Sequence, residues 1–374
     1  MRVLVNALSI GSLSGRHVLY GHLRQLAAWD GGKHEFVVLS HAQEPQSAEL
    51  KLPNIEWISA PPLSTRWLTR SLWEAVVLPR WMRRLRIERY FTPNGTILMR
   101  SPVPQVSLAQ NPWPLVRAIH RSSTERWKAQ VQRAAFRRAY LRADVMTYNS
   151  HHMQDLYCQN AGGRNAGGRG VIAYQGINDD TFKTAETMRG TSERLPLTIV
   201  SVSAMAHWKC AETLVRAVKI LHDQGVRAHL RFVGPWPDLG YEQQVRRLAF
   251  AEKVESHIIY TGQVPVTQLM QEYAQARVFC LMSRCESFGI PAVEAQAFGT
   301  PVVGSTACAM PEIGGNGGVY GSPDSPAETA DLLKPLLTDE QAWRDRSAKA
   351  LENAERFRWS RCTVPLAEAL LRPL

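Results

Sequence analysis

No stretch of the 374 residues is apolar for the length a bilayer-spanning helix needs, so no membrane span is expected. The opening MRVLVNALSIG is apolar over too short a distance for a signal peptide and reads as a first strand. Low-complexity tracts are absent. The six cysteines (Cys158, Cys210, Cys280, Cys285, Cys308, Cys362) are scattered, with no CxxC spacing and no paired histidines. That pattern argues against a structural zinc site and fits reduced thiols buried as small apolar groups in a cytosolic protein. Neither GxGxxG nor the Walker pattern occurs, and no recognisable nucleic-acid module appears.

What the chain does have is a one-sided positive charge. The net charge is +11. Residues 1–182 hold 23 Lys/Arg against 12 Asp/Glu, whereas residues 183–374 hold 21 of each. A basic half implies an anionic partner: nucleic acid, an anionic membrane surface or a phosphorylated substrate. Between Arg66 and Arg100 the positive charge is interleaved with Trp67, Trp73, Trp81, Leu68, Leu72 and Met82. Such a helix can lie in a membrane interface, or it can pack its tryptophans inward and leave its arginines in water. Residues 117–142 repeat the basic pattern, and AGGRNAGGRG (161–170) reads as a loop.

Apolar runs of strand length recur along both halves. RVLVNALS (2–9), EFVVLS (35–40), NIEWIS (54–59), VPQVSLAQNPWP (103–114) and DVMTYNS (144–150) mark the first half. LTIVSVS (197–203), AHLRFVGPWP (228–237), HIIYTGQV (257–264), RVFCLMS (277–283) and TPVVGS (300–305) mark the second. Helical patterns separate them, as over 17–29 and 210–224, and residues 183–194 look like a linker. The alternation predicts two doubly wound α/β domains with parallel sheets. The expected division is an N-terminal domain over 1–182, a second over 183–358 and a C-terminal helix from residue 359.

The most informative stretch is ESFGIPAVEAQAFGTPVVGS (286–305). A buried strand precedes it, a loop carries Glu286, Ser287, Phe288 and Gly289, and a helix opens at Ile290 or Pro291, where proline is tolerated. Gly299 caps that helix and a second strand follows. A loop and a helix N-terminus at the carboxyl end of a strand form a ligand-binding position in α/β sheets, suited to phosphate. Glu286 and Glu294 stand eight residues apart within it, and carboxylates accept hydrogen bonds from vicinal hydroxyls.

The spacing Glu-x7-Glu, with FG-x-P inside and EA-x-A-x-G-x-PVV after, resembles the donor site of the retaining glycosyltransferases of family four, which have the GT-B fold. The likeness covers the second half well and the first in outline. It implies two Rossmann-like domains facing across a cleft, with the C-terminal helix crossing back to the first. It also implies that Lys209 matches the lysine of a "GR…KG" motif that holds the donor diphosphate, while Ala204 stands where that motif has arginine. Gly234 falls in a likeness to "VG-x-GP". VIAYQGINDDTF (171–182) is similar to the family's interdomain "GVD…F", with Gly176 and Asn178 at the turn, and Glu312 in PEIGGNGGVYG (311–321) is a further contact candidate. In the first half, Gly11, Gly15 and Arg16 of the glycine-rich loop become cleft candidates. Gln110 and Asn111 occupy the place where the family often has a histidine; they can hydrogen-bond a sugar but cannot act as acid or base. His120 nearby reads as helical.

The resemblance implies a metal-independent retaining transferase, without cofactor. It moves a hexose-type sugar from a nucleotide diphosphate to a saccharide or lipid-linked acceptor, in bacterial polysaccharide or envelope glycan synthesis. Lys209 and the backbone N–H groups of residues 288–291 stabilise the departing diphosphate, Glu294 binds ribose, and Glu286 orients the transferred sugar. The protein is expected in the cytoplasm, at the membrane's inner face, with the basic half meeting a lipid-linked or phosphorylated acceptor and no nucleic acid partner. A non-catalytic nucleotide-sugar-binding partner subunit and a nucleotide-sugar epimerase remain alternatives. Ala204 and the absent histidine motivate the former.

Overall fold

The computed structural model describes residues 1–10, 13–41, 50–164 and 169–373. The chain divides into two compact units, Met1–Gly176 with Trp359–Leu374, and Ile177–Arg358. The helix Asp179–Arg189 therefore belongs to the second unit, and the linker read over 183–194 is helical for much of its length. Its polar surface hides three buried positions, Thr181, Phe182 and Ala185, which are too few for a clear apolar period. The C-terminal segment forms two short helices, Trp359–Cys362 and Val364–Leu371. Both belong to the first unit, where the Trp359 ring packs 4.8 Å from His22 and 5.4 Å from His17.

The first unit holds seven strands: β1 (Arg2–Asn6), β2 (Glu35–Ser40), β3 (Ile55–Ser59), β4 (Arg89–Thr92), β5 (Gln105–Ala109), β6 (Val145–Tyr148) and β7 (Arg169–Ile172). They form one parallel sheet in the order β3-β2-β1-β4-β5-β6-β7. The second unit holds β8 (Thr198–Val202), β9 (His229–Val233), β10 (Ile258–Gly262), β11 (Val278–Leu281), β12 (Val302–Ser305) and β13 (Gly318–Gly321). Their order is β10-β9-β8-β11-β12-β13, again parallel throughout. Both sheets are doubly wound: the chain moves outward from the first strand, then returns to that strand's other side. These are the two Rossmann-like domains of the GT-B class.

Strands β4, β7 and β13 went unread in the sequence. Each is only four residues long, and their arginines and glycines disguise them as helix or loop. The stretch 311–321 is accordingly a short helix, Met310–Gly314, a turn and β13. The basic segment after Arg66 breaks into two helices, Trp67–Val76 and Leu78–Arg84, with Pro79 in the first turn of the second.

Register fixes which helices share a face of the first sheet. Leu4 pairs with Tyr90 and Tyr90 with Gln105; two and four residues on, Ser107 pairs with Met146 and Ala109 with Tyr148. Residues in register across parallel strands, and residues two apart along one, point the same way. Leu4 and Tyr90 pack with Trp73, Leu78 and Met82. Ala109, Met146 and Tyr148 pack with Phe136, Ala139 and Tyr157. The helices Trp67–Val76, Leu78–Arg84, Ser123–Arg142 and His151–Asn160 thus cover one and the same face. Ser122 caps the third of these through a capping box with Glu125, and Ser150 caps the fourth.

In the second unit the loop leaving β9 is pressed against the loop leaving β8. Gly234 has φ of +126°, and a Cβ there would lie 2.1 Å from the Ser203 carbonyl oxygen. Both the backbone conformation and the space demand glycine. Gly234→Ala is expected to lower stability by about 3 kcal/mol, read as a lower unfolding midpoint in denaturant titration. An unchanged midpoint would show that the two loops are not held this closely.

Candidate functional site

Strand order in the second sheet places its reversal between β8 and β11. In doubly wound sheets the crevice beyond the carboxyl ends of such a strand pair is where ligands bind. Two loops form its walls here, residues 203–210 after β8 and 282–289 after β11. Backbone and side chain tie them together. The Arg284 N–H donates to the Trp208 carbonyl at 2.8 Å, and the buried Ser283 hydroxyl lies 3.2 Å from the same oxygen. Ser283 Oγ also accepts the Cys285 N–H at 3.2 Å, which shapes the turn leading to Glu286.

On this frame Lys209 and Glu286 meet. Lys209 closes the turn His207–Lys209, and Cys210, with φ of +53°, starts the helix Ala211–Asp223. The Lys209 ammonium donates directly to Glu286 Oε1, and each side chain is only 14 % exposed. Two charges this sheltered are tolerable because each neutralises the other.

The helix Ile290–Ala297 begins right after Glu286–Gly289. Gly289, with φ of +97°, is its N-cap, and a Cβ there would lie 2.7 Å from Met310 Sδ. The first-turn N–H of Ile290 has no acceptor within the helix, so it presents positive potential toward the loop. The expected donor row 288–291 is shorter than it looked: Pro291 has no N–H, and the Ala292 N–H is taken by Gly289 O at 2.9 Å. The Phe288 side chain is buried, edge-on to Phe357 at 5.3 Å, so it serves the core and only its backbone is available to a ligand. Ser287 sits between these residues on the same loop, half-buried.

Glu294 lies one turn into the helix, in very different surroundings. The buried Tyr273, on the helix Val266–Gln275, donates its hydroxyl to Glu294 Oε2 at 2.8 Å. Burial pushes the Glu294 pKa up to about 7, and the Tyr273 hydrogen bond opposes that rise. Tyr273 went unnoticed in the sequence because it reads as one more aromatic on an apolar helix face; only tertiary packing reveals its partner.

Ala204 is exposed on the loop after β8. Across from that loop, Arg284 might look like a replacement cation, but its guanidinium is already committed. Nη2 and Nε bind Asp324, the latter at 3.1 Å, and Nη1 lies 2.9 Å from Cys210 Sγ. Glu312 falls in the first turn of the helix Met310–Gly314, partly exposed.

The candidates of the first unit do not gather into one polar cluster. Gly15 and Arg16 belong to the first turn of the helix Leu13–Ala28 rather than to the loop before it, and Gly11 lies outside the described residues. The Gln110 amide donates to the Pro93 carbonyl at 2.6 Å, and Asn111 Oδ1 accepts the Trp113 N–H at 3.1 Å. Both side chains are thus partly used in shaping their own loop. His120 is not helical: it follows the turn Arg117–Ile119 in extended conformation, buried with Nε2 2.9 Å from the Trp113 carbonyl. Among the described residues no group of three or more His, Cys, Asp or Glu is placed to hold a metal ion.

Residues 188–357, nearly the whole second unit, match the family model "Glycosyl transferases group 1". Over this unit the chain belongs to the group 1 glycosyltransferases. Its relatives include the O-antigen chain mannosyltransferase B of Escherichia coli, 38% identical over 117 residues, covering 31% of this chain and 30% of that protein. The D-inositol 3-phosphate glycosyltransferase of Corynebacterium glutamicum is 24% identical over 266 residues, covering 67% of this chain and 63% of that protein. The chain thus spans under two thirds of the length of either relative. Among solved structures, the sucrose-phosphate synthase of Thermosynechococcus elongatus superposes with a TM-score of 0.73 at 16% identity, covering 99% of this chain and 98% of that one. This last likeness shows the fold.

The Glu294 environment has a signed consequence for the unliganded protein. A carboxyl whose folded pKa is raised favours the folded state most below its unfolded value of about 4.3, and loses that advantage as pH rises through 7. Glu294→Gln stays neutral throughout. It should match the parent protein at low pH and exceed it by up to about 3 kcal/mol at pH 8, in denaturant titrations at both pH values. A gap that does not widen with pH would mean that the Glu294 carboxyl is well hydrated.

Proposed function

We propose that this protein is a retaining, metal-independent glycosyltransferase that moves a hexose-type sugar from a nucleotide diphosphate to a hydroxyl of a glycan or lipid-linked acceptor. The observation that carries the proposal is the Lys209–Glu286 pair at the switch point of the second sheet, beside the start of the helix Ile290–Ala297. It supplies a cation, a hydroxyl-binding carboxylate and backbone N–H donors within one loop pair. A nucleotide diphosphate sugar needs all three.

In this reading the diphosphate lies against Lys209 and the N–H groups of Ser287, Gly289 and Ile290, and Gly234 lets backbone approach closely where a side chain would intrude. Glu294 accepts the ribose hydroxyls. The bond from the anomeric carbon to the diphosphate oxygen breaks, and negative charge grows on that oxygen. Lys209 and the N–H donors stabilise it more in the transition state than in the ground state. The acceptor oxygen attacks from the face the diphosphate leaves, and its proton passes to a phosphate oxygen. Configuration is therefore retained without a protein nucleophile. Glu286, released from Lys209 as the phosphates arrive, binds the sugar hydroxyls and fixes the sugar's orientation. The relatives' printed activities, on an O-antigen chain and on an inositol phosphate, support polysaccharide or envelope glycan synthesis at the cytoplasmic face of a membrane.

A second reading, a nucleotide-sugar-binding partner subunit without turnover, draws on Ala204 and on the engagement of Arg284 by Asp324. The two differ in what Glu286→Gln does. As a transferase, the variant should lose about 10²–10³-fold in kcat, measured as sugar transfer or donor hydrolysis with anomeric configuration read by NMR. Parent protein that binds donor yet shows no turnover with any acceptor or water would favour the partner subunit.

Binding itself is checked by thermal shift with UDP, GDP, dTDP and their sugar conjugates. One nucleotide at a hundred times its Kd should add about 2.7 kcal/mol, and Lys209→Ala should remove the effect. Two ribose hydroxyls require the ionised form of Glu294, so affinity should fall about tenfold per pH unit below 7. Nucleotide affinity that stays flat between pH 5 and 8 would remove Glu294 from the ribose contact.

A further inference from the structure

The first unit, Met1–Gly176 with Trp359–Leu374, holds 25 Lys/Arg against 11 Asp/Glu, so the excess charge is concentrated more sharply in space than in sequence. Part of it lines an open pocket of about 370 Å³ formed by Arg117, Gln130, Arg133, Ala134, Arg137 and Asn160. The helix Ser123–Arg142 supplies the middle four at helical spacing. Arg117 comes from the turn before it, and Asn160 from the end of the helix His151–Asn160.

The pocket is built rather than incidental. Arg133 Nη1 donates to the Pro114 carbonyl at 3.0 Å, and Asn160 Nδ2 donates to the Arg133 carbonyl at 2.9 Å, so loop and both helices are pinned around it. Among the described residues none of the three guanidinium groups has a carboxylate partner. Arg133 holds its proton less tightly through burial and through repulsion by Arg117. Like charges gathered without counter-charge are relieved by an anion.

The apolar side chains left in water lie on the helices of this same face. Leu68 is 63% exposed and Leu72 68%, with Val76 continuing their row at a spacing of four along the helix Trp67–Val76. Trp127, 61% exposed, and Val131 form a second row on the helix Ser123–Arg142. Both helices cover the face of the first sheet defined by Leu4, Tyr90, Ala109 and Tyr148. Exposed Arg66, Arg83 and Arg84 flank the first row. Apolar rows bordered by unpaired arginines match the two layers of an anionic membrane surface, acyl boundary and phosphate.

We propose that this face of the first unit docks on an anionic bilayer, with Arg117, Arg133 and Arg137 seating a lipid phosphate. The inference deepens the proposed transfer to an acceptor held at a membrane, and it rests on that reading for its purpose. Vesicle binding needs no donor and no turnover, so failure of either proposal is seen without the other.

The test is sedimentation with phosphatidylglycerol–phosphatidylcholine vesicles against phosphatidylcholine alone, at fixed ionic strength. The parent protein should bind the anionic vesicles selectively and release them as salt rises. Arg117→Ala/Arg137→Ala should weaken binding roughly thirtyfold, at the usual contribution of one arginine near a charged surface. Leu68→Ser/Leu72→Ser should weaken binding at high salt as well as low, because its loss is apolar. Arg247→Ala, exposed on the second unit, should change nothing. Circular dichroism establishes that each variant is folded. Equal binding to neutral and anionic vesicles, or full binding by the arginine variant, overturns the proposal. Tighter arginine-dependent binding to a duplex DNA than to anionic vesicles also overturns it, in favour of a nucleic acid.

Discussion

A pair of sheltered opposite charges can persist in a protein only if the surrounding backbone holds them together, because separating them would leave two poorly hydrated ions. Lys209 and Glu286 stand in that position. They come from loops 77 residues apart in sequence, and the sheet makes them neighbours by setting β8 beside β11. Backbone bonding between Trp208 and Arg284, with Ser283 beneath, then fixes the two loops within reach. An incoming diphosphate offers the lysine a second anion and frees the carboxylate to meet hydroxyls. The unliganded pairing therefore keeps each group in its charged form, ready for a partner that replaces the other.

The parts of this site that could be read from sequence are those that local chemistry dictates. Apolar runs bounded by glycine and proline mark β11, the helix Ile290–Ala297 and β12, and those elements carry both glutamates. Lys209 could be placed because it follows a strand and precedes a helix. The lysine–glutamate contact could not, since it depends on strand order. Nor could the Tyr273–Glu294 bond, which joins two helices. The short strands β4, β7 and β13 escaped for a different reason. Four residues give too few alternations for a period, and neighbours supply their burial. Asp179–Arg189 shows the reverse error, a polar helix taken for a linker because only three of its residues turn inward.

The two glutamates of one loop–helix unit have come to lie in opposite environments. Glu286 faces an ammonium group, whereas Glu294 faces a phenol and apolar packing that raises its pKa. The difference follows from position along the helix. At the loop, the carboxylate meets whatever the neighbouring strand's loop presents. One turn in, it is enclosed by the helix that precedes β11. Opposed environments let chemically identical side chains do different work within a few residues.

The distribution of charge between the units follows the same logic on a larger scale. In the second unit cations are matched to carboxylates, as in Arg231–Glu272, Arg284–Asp324 and Arg277–Glu340. Those arginines stabilise the fold and are unavailable to a ligand. In the first unit the arginines greatly outnumber the acids, and a folded domain gains no stability from such an excess; self-repulsion opposes it. A surplus that costs stability and stands beside exposed leucine and tryptophan is most economically explained by an external surface of opposite charge with an apolar layer beneath. The placement of both features on helices covering one face of a parallel sheet is what turns a compositional bias into a directional one.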